Sequence, residues 1–185
     1  MKKKKAFGLG VIVGRFQCIH AGHETMIDTA LSVCDEVAVF IGSSQESGTN
    51  KNPFTYETRR EMLRRIYGDR IKIYPLPDAG LGNCAAWGEY VVENVVKQTG
   101  RRPDLSVSGK EERRASWLDG ESGESIAELY VPKTVAMSAS QMREFFVSDD
   151  RESWQSFANP ALWDMYCELR EAVLSSKDNT ETDSI

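Results

Sequence analysis

An apolar run near the start of the chain breaks abruptly into a helix, and this break constrains the fold more than any other feature. The run is Val11-Ile12-Val13, typical of a buried strand, and the break begins at Gly14. The chain's two histidines, His20 and His23, lie within it. A strand–loop–helix unit presents backbone N–H groups and a positive dipole end at the loop, so the pattern predicts an anion site there. Apolar residues at helical spacing follow: Met26, Ile27, Ala30, Leu31 and Cys34.

Segments typical of buried strands alternate with helical segments along the rest of the chain. Strands separated by helices pair in parallel and are covered on both faces. The order therefore predicts an α/β fold, a doubly wound, Rossmann-like parallel sheet with C-terminal helices. A ligand site in such a sheet lies at the carboxyl ends of the strands, near the switch point. The predicted strands cover 11–13, 36–41, 71–74, 105–107 and 126–131.

Capping patterns predict where three helices begin, and apolar spacing indicates a further helix at 85–98. Two of the patterns are capping boxes, and the third is an N-cap followed by a proline. They start at Thr58, Ser138 and Asn159. Pro75 and Pro77 are expected to end the third strand.

The chain is predicted to form a single domain over 1–175. The polar, acidic residues 176–185 are expected to form a flexible tail. The charged, glycine-containing segment 111–124 is expected to be a surface loop.

Composition excludes several classes of function. The net charge is −5 over 185 residues, which argues against a broad nucleic-acid surface. No apolar run approaches the roughly 20 residues of a membrane span. The four cysteines show no zinc spacing, and reduced cysteines suit the cytoplasm. We therefore expect a cytoplasmic protein that acts on a small anionic substrate.

Two motifs carry a resemblance to a known superfamily. Residues 14–23 read G-R-F-Q-C-I-H-A-G-H, which resembles the G-R-F-Q-P-x-H-x-G-H motif of the nucleotidylyltransferase superfamily. The departure is Cys18, where the superfamily usually has proline. Residues 138–143, S-A-S-Q-M-R, resemble its second motif, S-[AST]-[ST]-x-[IM]-R. Two surface histidines after a strand would explain the first motif alone, but not both motifs in the superfamily's order.

This resemblance implies nucleotidyl transfer from a triphosphate to a phosphate acceptor, with Mg²⁺ bridging the phosphates and no protein metal site. Plainer alternatives exist: the arginines could be ordinary surface or helix-face residues, and the serines helix caps. The implied catalytic residues are His20, His23, Arg15 and Arg143. The implied ATP-binding residues are Gly14, Arg15, Phe16, Gln17, His20, Gly22, His23, Gly109, Ser138, Ser140 and Arg143.

A second resemblance narrows the acceptor. Residues 42–55 resemble the G-S-x-Q-x-S-x-T-x-x-N-P-F-T segment of archaeal-type nicotinamide-nucleotide adenylyltransferases, and Asp78, Asn83 and Trp87 resemble that family's P-D-x-n-N-x-x-W pattern. The step from Asn83 to Trp87 is one residue longer than usual. The resemblance implies that ATP adenylylates nicotinamide mononucleotide (NMN), with an indole on the nicotinamide ring, although Trp87 could be helix core. The implied acceptor residues are Ser43, Lys51, Asp78, Asn83 and Trp87.

Other functions stay open on the sequence. The same chemistry could serve another acceptor, such as phosphopantetheine, or use CTP, and a non-catalytic nucleotide sensor is a third reading. The segment 109–124 matches the family least, and its Arg113, Arg114 and Trp117 could touch a different acceptor or only solvent. Members of the family are commonly homo-oligomers. The expected partners are therefore ATP, NMN and further copies of the chain, with neither nucleic acid nor membrane.

Overall fold

The structure is a computed structural model that describes residues 4–109, 116–132 and 135–182. Its strands are β1 (Phe7–Gly14), β2 (Cys34–Gly42), β3 (Lys72–Leu76), β4 (Leu105–Ser108) and β5 (Ala127–Tyr130). They form one parallel sheet in the order β3-β2-β1-β4-β5. The strand order reverses between β1 and β4, which places a switch point beside the central strand.

Helices connect the strands and follow the last one. They are α1 (Ala21–Val33), α2 (Tyr56–Tyr67), α3 (Ala85–Thr99), α4 (Ala139–Val147), α5 (Arg151–Phe157) and α6 (Tyr166–Thr182). This arrangement confirms the predicted Rossmann-like α/β fold with C-terminal helices. In the part of the chain that the structure describes, no helix is long and apolar enough to cross a membrane.

Alternate side chains of β1 enter two apolar layers, one on each face of the sheet. Ile12 belongs to the layer that contains the apolar faces of α1, α2 and the C-terminal helices. Leu9 and Val11 belong to the opposite layer, which α3 covers with Val91 and Val95. Both faces of the sheet are therefore buried, and the strand ends are the place where a ligand can reach it.

Three local predictions differ from the structure. Helix α2 is capped by Thr55, whose Oγ1 accepts a hydrogen bond from the N–H of Thr58, so Thr58 lies inside the helix. Cys34, which the apolar spacing placed on α1, is instead the buried first residue of β2. Pro75 lies within β3 instead of ending it, because β3 is an edge strand, where proline is tolerated.

The segment predicted as a surface loop at 111–124 is partly buried. Trp117 and Leu118 pack into the apolar layer that contains α3, and a 3₁₀ turn follows at Glu121–Gly123. Residues 110–115 of this region, with Arg113 and Arg114, lie outside the described residues. Packing against α3, which no local pattern reveals, decided the burial.

The C-terminal region starts as predicted and continues further as helix. The Oδ1 of Asn159 accepts from the N–H of Ala161 and Pro160 follows it, but this cap opens a 3₁₀ turn, Pro160–Met165, that leads into α6. Helix α6 extends to Thr182, and Ser176 is buried. The segment expected to be a flexible tail at 176–185 is therefore helical through Thr182, and 183–185 lie outside the described residues.

Candidate active site

A cavity of about 570 Å³ opens at the carboxyl ends of β1, β2 and β4, beside the switch point. Every predicted ATP-binding residue lines it, and so do four of the five predicted acceptor residues. The fifth, Lys51, is exposed on its loop and does not line this cavity. Lining residues not assigned from the sequence are Val13, Thr25, Met26, Gly42, Gly82, Ser108, Trp117, Val131, Pro132 and Ala139.

Helix α1 begins at the wall of the cavity, where His20 is its N-cap. The Nδ1 of His20 accepts a 3.1 Å hydrogen bond from the N–H of Gly22, and its carbonyl accepts from the N–H of His23. Because Nδ1 accepts, the proton of the neutral ring sits on Nε2, which becomes the donor nitrogen. The positive end of the helix dipole and a donor imidazole therefore lie at the same place.

A strained turn places the second imidazole beside the first. The ring centroids of His20 and His23 are 4.1 Å apart, and that of Phe16 lies 5.1 Å from His23. Phe16 is buried and has a φ of 52°, a left-handed conformation that costs energy in a residue other than glycine. A Cβ on Gly14 would come within 3.1 Å of the Phe16 ring. Gly14 thus lets the ring pack close to the strand end and support His23.

The start of α4 reaches the same cavity from the other end of the chain. Ser138 caps the helix as predicted, its Oγ accepting from the N–H of Gln141 at 3.2 Å. One turn later, Arg143 donates from Nη1 to the carbonyl oxygen of Gln17 at 2.8 Å and from Nη2 to the Oγ of Ser140 at 3.2 Å. Burial lowers the pKa of Arg143, yet the guanidinium stays protonated at neutral pH. Arg143 is therefore a fixed cation that joins α4 to the loop after β1.

Arg15 is oriented by an asparagine that sequence analysis did not single out. Its Nη1 lies 3.5 Å from the Oδ1 of Asn52, and the Nδ2 of Asn52 donates to the Glu46 carboxylate. The N–H of Asn52 donates to the Oγ1 of Thr49 at 3.0 Å. Asn52 is only 2% exposed, so the loop after β2 holds it in place. The position of Arg15 thus depends on a loop distant in sequence.

Gln17 lines the cavity, but its side-chain amide bonds to the protein. Its Nε2 donates to the carbonyl oxygen of Phe54 at 3.2 Å, and its Oε1 accepts from the N–H of Phe54 at 2.9 Å. The residue is 3% exposed. Gln17 therefore anchors the loop 42–55 to the loop after β1, and its predicted contact with ATP stays a prediction.

At the end of the cavity lined by the predicted acceptor residues Ser43, Asp78, Asn83 and Trp87, the loops after β2 and β3 are bonded to each other. The Oγ of Ser43 donates to the Asp78 carboxylate at 3.5 Å. Gln45 accepts from the N–H of Asp78 at 2.9 Å and donates to its carbonyl oxygen at 3.1 Å. Ser43 has a φ of 45°, so a second strained residue ends a strand at the cavity.

An aromatic wall closes the same end of the cavity. The rings of Trp87 and Trp117 meet edge to face at 6.1 Å, and the Nε1 of Trp117 donates to the Oδ1 of Asn83 at 2.5 Å. Trp117 can lie there because α3 has Gly88 at the contact, where a Cβ would overlap the carbonyl oxygen of Trp117. Trp117 therefore faces the cavity and orients Asn83, which excludes the solvent-only interpretation of this residue.

Cys18, the departure from the first motif, is a buried neutral thiol. Burial raises its pKa to about 12, while the charge of Arg143 acts in the opposite direction. Thiolate, not thiol, is the nucleophilic form, so Cys18 serves packing rather than chemistry.

One charged residue of structural importance was missed by sequence analysis. Arg59 is fully buried under the loops after β1 and β2. A signal was present, because Arg59 stands three and four residues before the buried Met62 and Leu63, on the apolar stripe of α2. Among the described residues, no group of three or more His, Cys, Asp or Glu side chains is placed to hold a metal ion.

Comparison with known proteins shows which families the chain is similar to. A cytidylyltransferase-like family model matches residues 11–157. Among curated proteins named nicotinamide-nucleotide adenylyltransferase, the one from Thermococcus kodakarensis is 44% identical over 46% of this chain and 48% of its own length. The one from Pyrococcus furiosus is 31% identical over 87% of this chain and 84% of its own length. The matched part of the chain thus spans about half of the first relative and most of the second.

A solved structure shares the fold. It is a bifunctional NMN adenylyltransferase/ADP ribose pyrophosphatase from Francisella tularensis, complexed with AMP and a Mn ion. The TM-score is 0.73 at 20% identity, and the match covers 94% of this chain and 53% of that one. At this identity the likeness concerns the fold alone.

Proposed function

Because the chain belongs to the cytidylyltransferase-like family and is similar to archaeal nicotinamide-nucleotide adenylyltransferases, we propose that it transfers AMP from ATP to the phosphate of NMN. The products are NAD and pyrophosphate. One observation carries the proposal. A single cavity joins two helix N-termini, two imidazoles and two guanidinium groups to an aromatic wall with an oriented amide.

The reaction requires little covalent chemistry from the protein. An oxygen of the NMN phosphate attacks the α-phosphorus of ATP, and the bond from that phosphorus to the bridging β-phosphate oxygen breaks as pyrophosphate leaves. The nucleophile is already an anion, so no strong base is required. Catalysis then consists of holding two polyanions in line and stabilising charge that grows on the α- and β-phosphates.

The histidine end of the cavity suits the triphosphate. His20 and His23 supply imidazole donors at the start of α1, where the helix dipole also favours an anion. Arg143 has five N–H groups, two of which hold Gln17 and Ser140. Its fork and that of Arg15 can therefore bond phosphate oxygens in a way that lysine cannot. These groups are held before ATP arrives, so little reorganisation accompanies transfer.

The aromatic end suits the nicotinamide. A flat cationic ring is attracted to an indole face, which Trp87 provides at the cavity wall. Asn83, oriented by Trp117, lies beside it and can bond the carboxamide. Asp78 places a negative charge near the cationic ring.

Mg²⁺ would neutralise phosphate charge when bound. The described residues hold no cluster of metal ligands, which fits an ion that the nucleotide carries. A homo-oligomer and a cytoplasmic location stay predictions, and light scattering after size-exclusion chromatography tests the first.

Pyrophosphate release with Mg²⁺ tests the function, with ATP and CTP each paired with NMN, nicotinate mononucleotide and phosphopantetheine. Release confined to ATP with NMN is the expected result. Release only with CTP or another acceptor would contradict the proposal and reassign the aromatic end of the cavity. ATP binding without release across the panel would indicate a nucleotide sensor.

A further inference from the structure

Building on the proposed function, we infer that Arg59 is a positioning residue that sets the distance between the two ends of the cavity. The triphosphate end is the end with His20 and His23, which is proposed to bind ATP. The acceptor end is the aromatic end with Trp87, which is proposed to bind NMN. Arg59 does not line the cavity itself. Its side chain is 0% exposed and lies between the loops that carry the two sets of substrate-facing residues. It acts through the main chain of those loops.

The guanidinium of Arg59 bonds five main-chain carbonyl oxygens. Nη1 donates to Arg15 at 3.0 Å and to Gly42 at 2.8 Å. Nη2 donates to Ser43 at 3.1 Å and to Glu46 at 3.4 Å. Nε donates to Thr55, the N-cap of its own helix, at 3.1 Å.

Three of these carbonyls, those of Arg15, Gly42 and Ser43, lie at the ends of two neighbouring strands. Arg15 follows β1 and faces the triphosphate end, whereas Ser43 follows β2 and bonds Asp78 at the acceptor end. Phe16 and Ser43 both have positive φ. Strained turns persist only where their surroundings over-determine them, and Arg59 bonds directly at or beside both. The planar guanidinium of Arg59 therefore fixes the positions of the two strained turns relative to each other.

Only arginine can make this set of contacts. Its planar fork presents five N–H donors in fixed directions, while the lysine ammonium has three and sits at a single point. Burial lowers the pKa of Arg59 to about 10, so it stays charged at neutral pH. A lysine at this position would keep the charge but release some of the carbonyls, and the two loops would no longer be joined through a planar group.

The test compares Arg59→Lys and Arg59→Met with the control Arg60→Lys. Arg60 is the next residue of α2 and is exposed. For each variant, kcat and the KM of each substrate are measured, and kcat is divided by the folded fraction determined from circular dichroism and thermal unfolding.

Because a displacement of about 1 Å in a reacting pair can cost about 100-fold, we expect kcat per folded molecule to fall about 100-fold in Arg59→Met and about 10-fold in Arg59→Lys. The KM of each substrate should rise by less than about fivefold, and Arg60→Lys should match the unmodified chain. A lower melting temperature with unchanged kcat per folded molecule would overturn the inference, because that result is expected of a residue that contributes only to stability.

Failure of the proposed function would be visible separately. It would show as no pyrophosphate release by the unmodified chain with NMN. In that event the affinity for ATP, measured by calorimetry, decides the role of Arg59. A weaker affinity in Arg59→Lys, with Arg60→Lys unchanged, supports positioning. Equal affinities in the two variants contradict it.

Discussion

The triphosphate end and the acceptor end of the cavity are built in different ways. The first is made by two helix starts whose caps, His20 and Ser138, lie in short contiguous motifs. The second is assembled from the loops after β2 and β3, from α3, and from Trp117, which are separate in sequence. The residues for the chemistry that a family shares can therefore lie in short local motifs. The choice of acceptor depends instead on how loops that are distant in sequence pack together.

Loss of an imidazole should be the largest effect, and it should leave the acceptor end intact. His23→Ala removes an imidazole from the end of the cavity proposed to bind the triphosphate, and losing one donor to a transition state lowers kcat about 100- to 1000-fold. The KM of NMN should change little. Steady-state kinetics checks this, with the exposed Ser32→Ala on the same helix as control. A near-normal kcat in His23→Ala would show that His23 does not contribute to catalysis.

Replacing the fork of Arg143 should give a smaller effect at the same end. Arg143→Lys keeps the charge but cannot bond Gln17, Ser140 and a phosphate together, so kcat/KM for ATP should fall about 30-fold. Arg151→Lys, an exposed arginine on the next helix, is the matched control. An equal loss of kcat/KM in Arg143→Lys and Arg151→Lys would indicate that Arg143 is an ordinary residue of the helix face.

At the acceptor end, Trp87→Ala should raise the KM of NMN about tenfold, the size expected for a lost cation–π contact. The KM of ATP should stay the same, because Trp87 packs against Trp117, whereas the imidazoles of His20 and His23 pack against each other. Substrate titrations check this, with Trp163→Ala, a partly exposed tryptophan outside the cavity, as control. An unchanged KM for NMN would make Trp87 a core residue only.

The smallest effect is expected where the chain departs from the motif. Cys18→Pro should change kcat by less than about threefold, since the buried neutral thiol has no chemical role and proline mainly stiffens the loop. Cys18→Ala separates loss of the thiol from addition of the ring. A large rate change in Cys18→Pro alone would show that loop stiffness matters to the triphosphate end.

Most predictions from sequence succeeded where structure is local and missed where it is not, and the starting residue of α2 is a local exception. The end of β1, the Ser138 cap and the start of α1 beside the histidines follow from residues a few positions apart. Thr58 was wrongly taken as a cap because Thr55 and Thr58 both suit the role, and the observed bond runs between them. Trp117 was assigned to a surface segment because its partner, Gly88, is distant in the chain.

The alternation of strands and helices and the capped start of α4 follow from the sequence, since hydrophobic periodicity and capping act over a few residues. The burial of Arg59 under both loops, the bonds between Gln17 and Phe54, and the position of Trp117 at the cavity arise only from tertiary packing. The physical reason is that buried polar groups must find partners. Those partners become neighbours only when the sheet brings the ends of β1, β2 and β3 together.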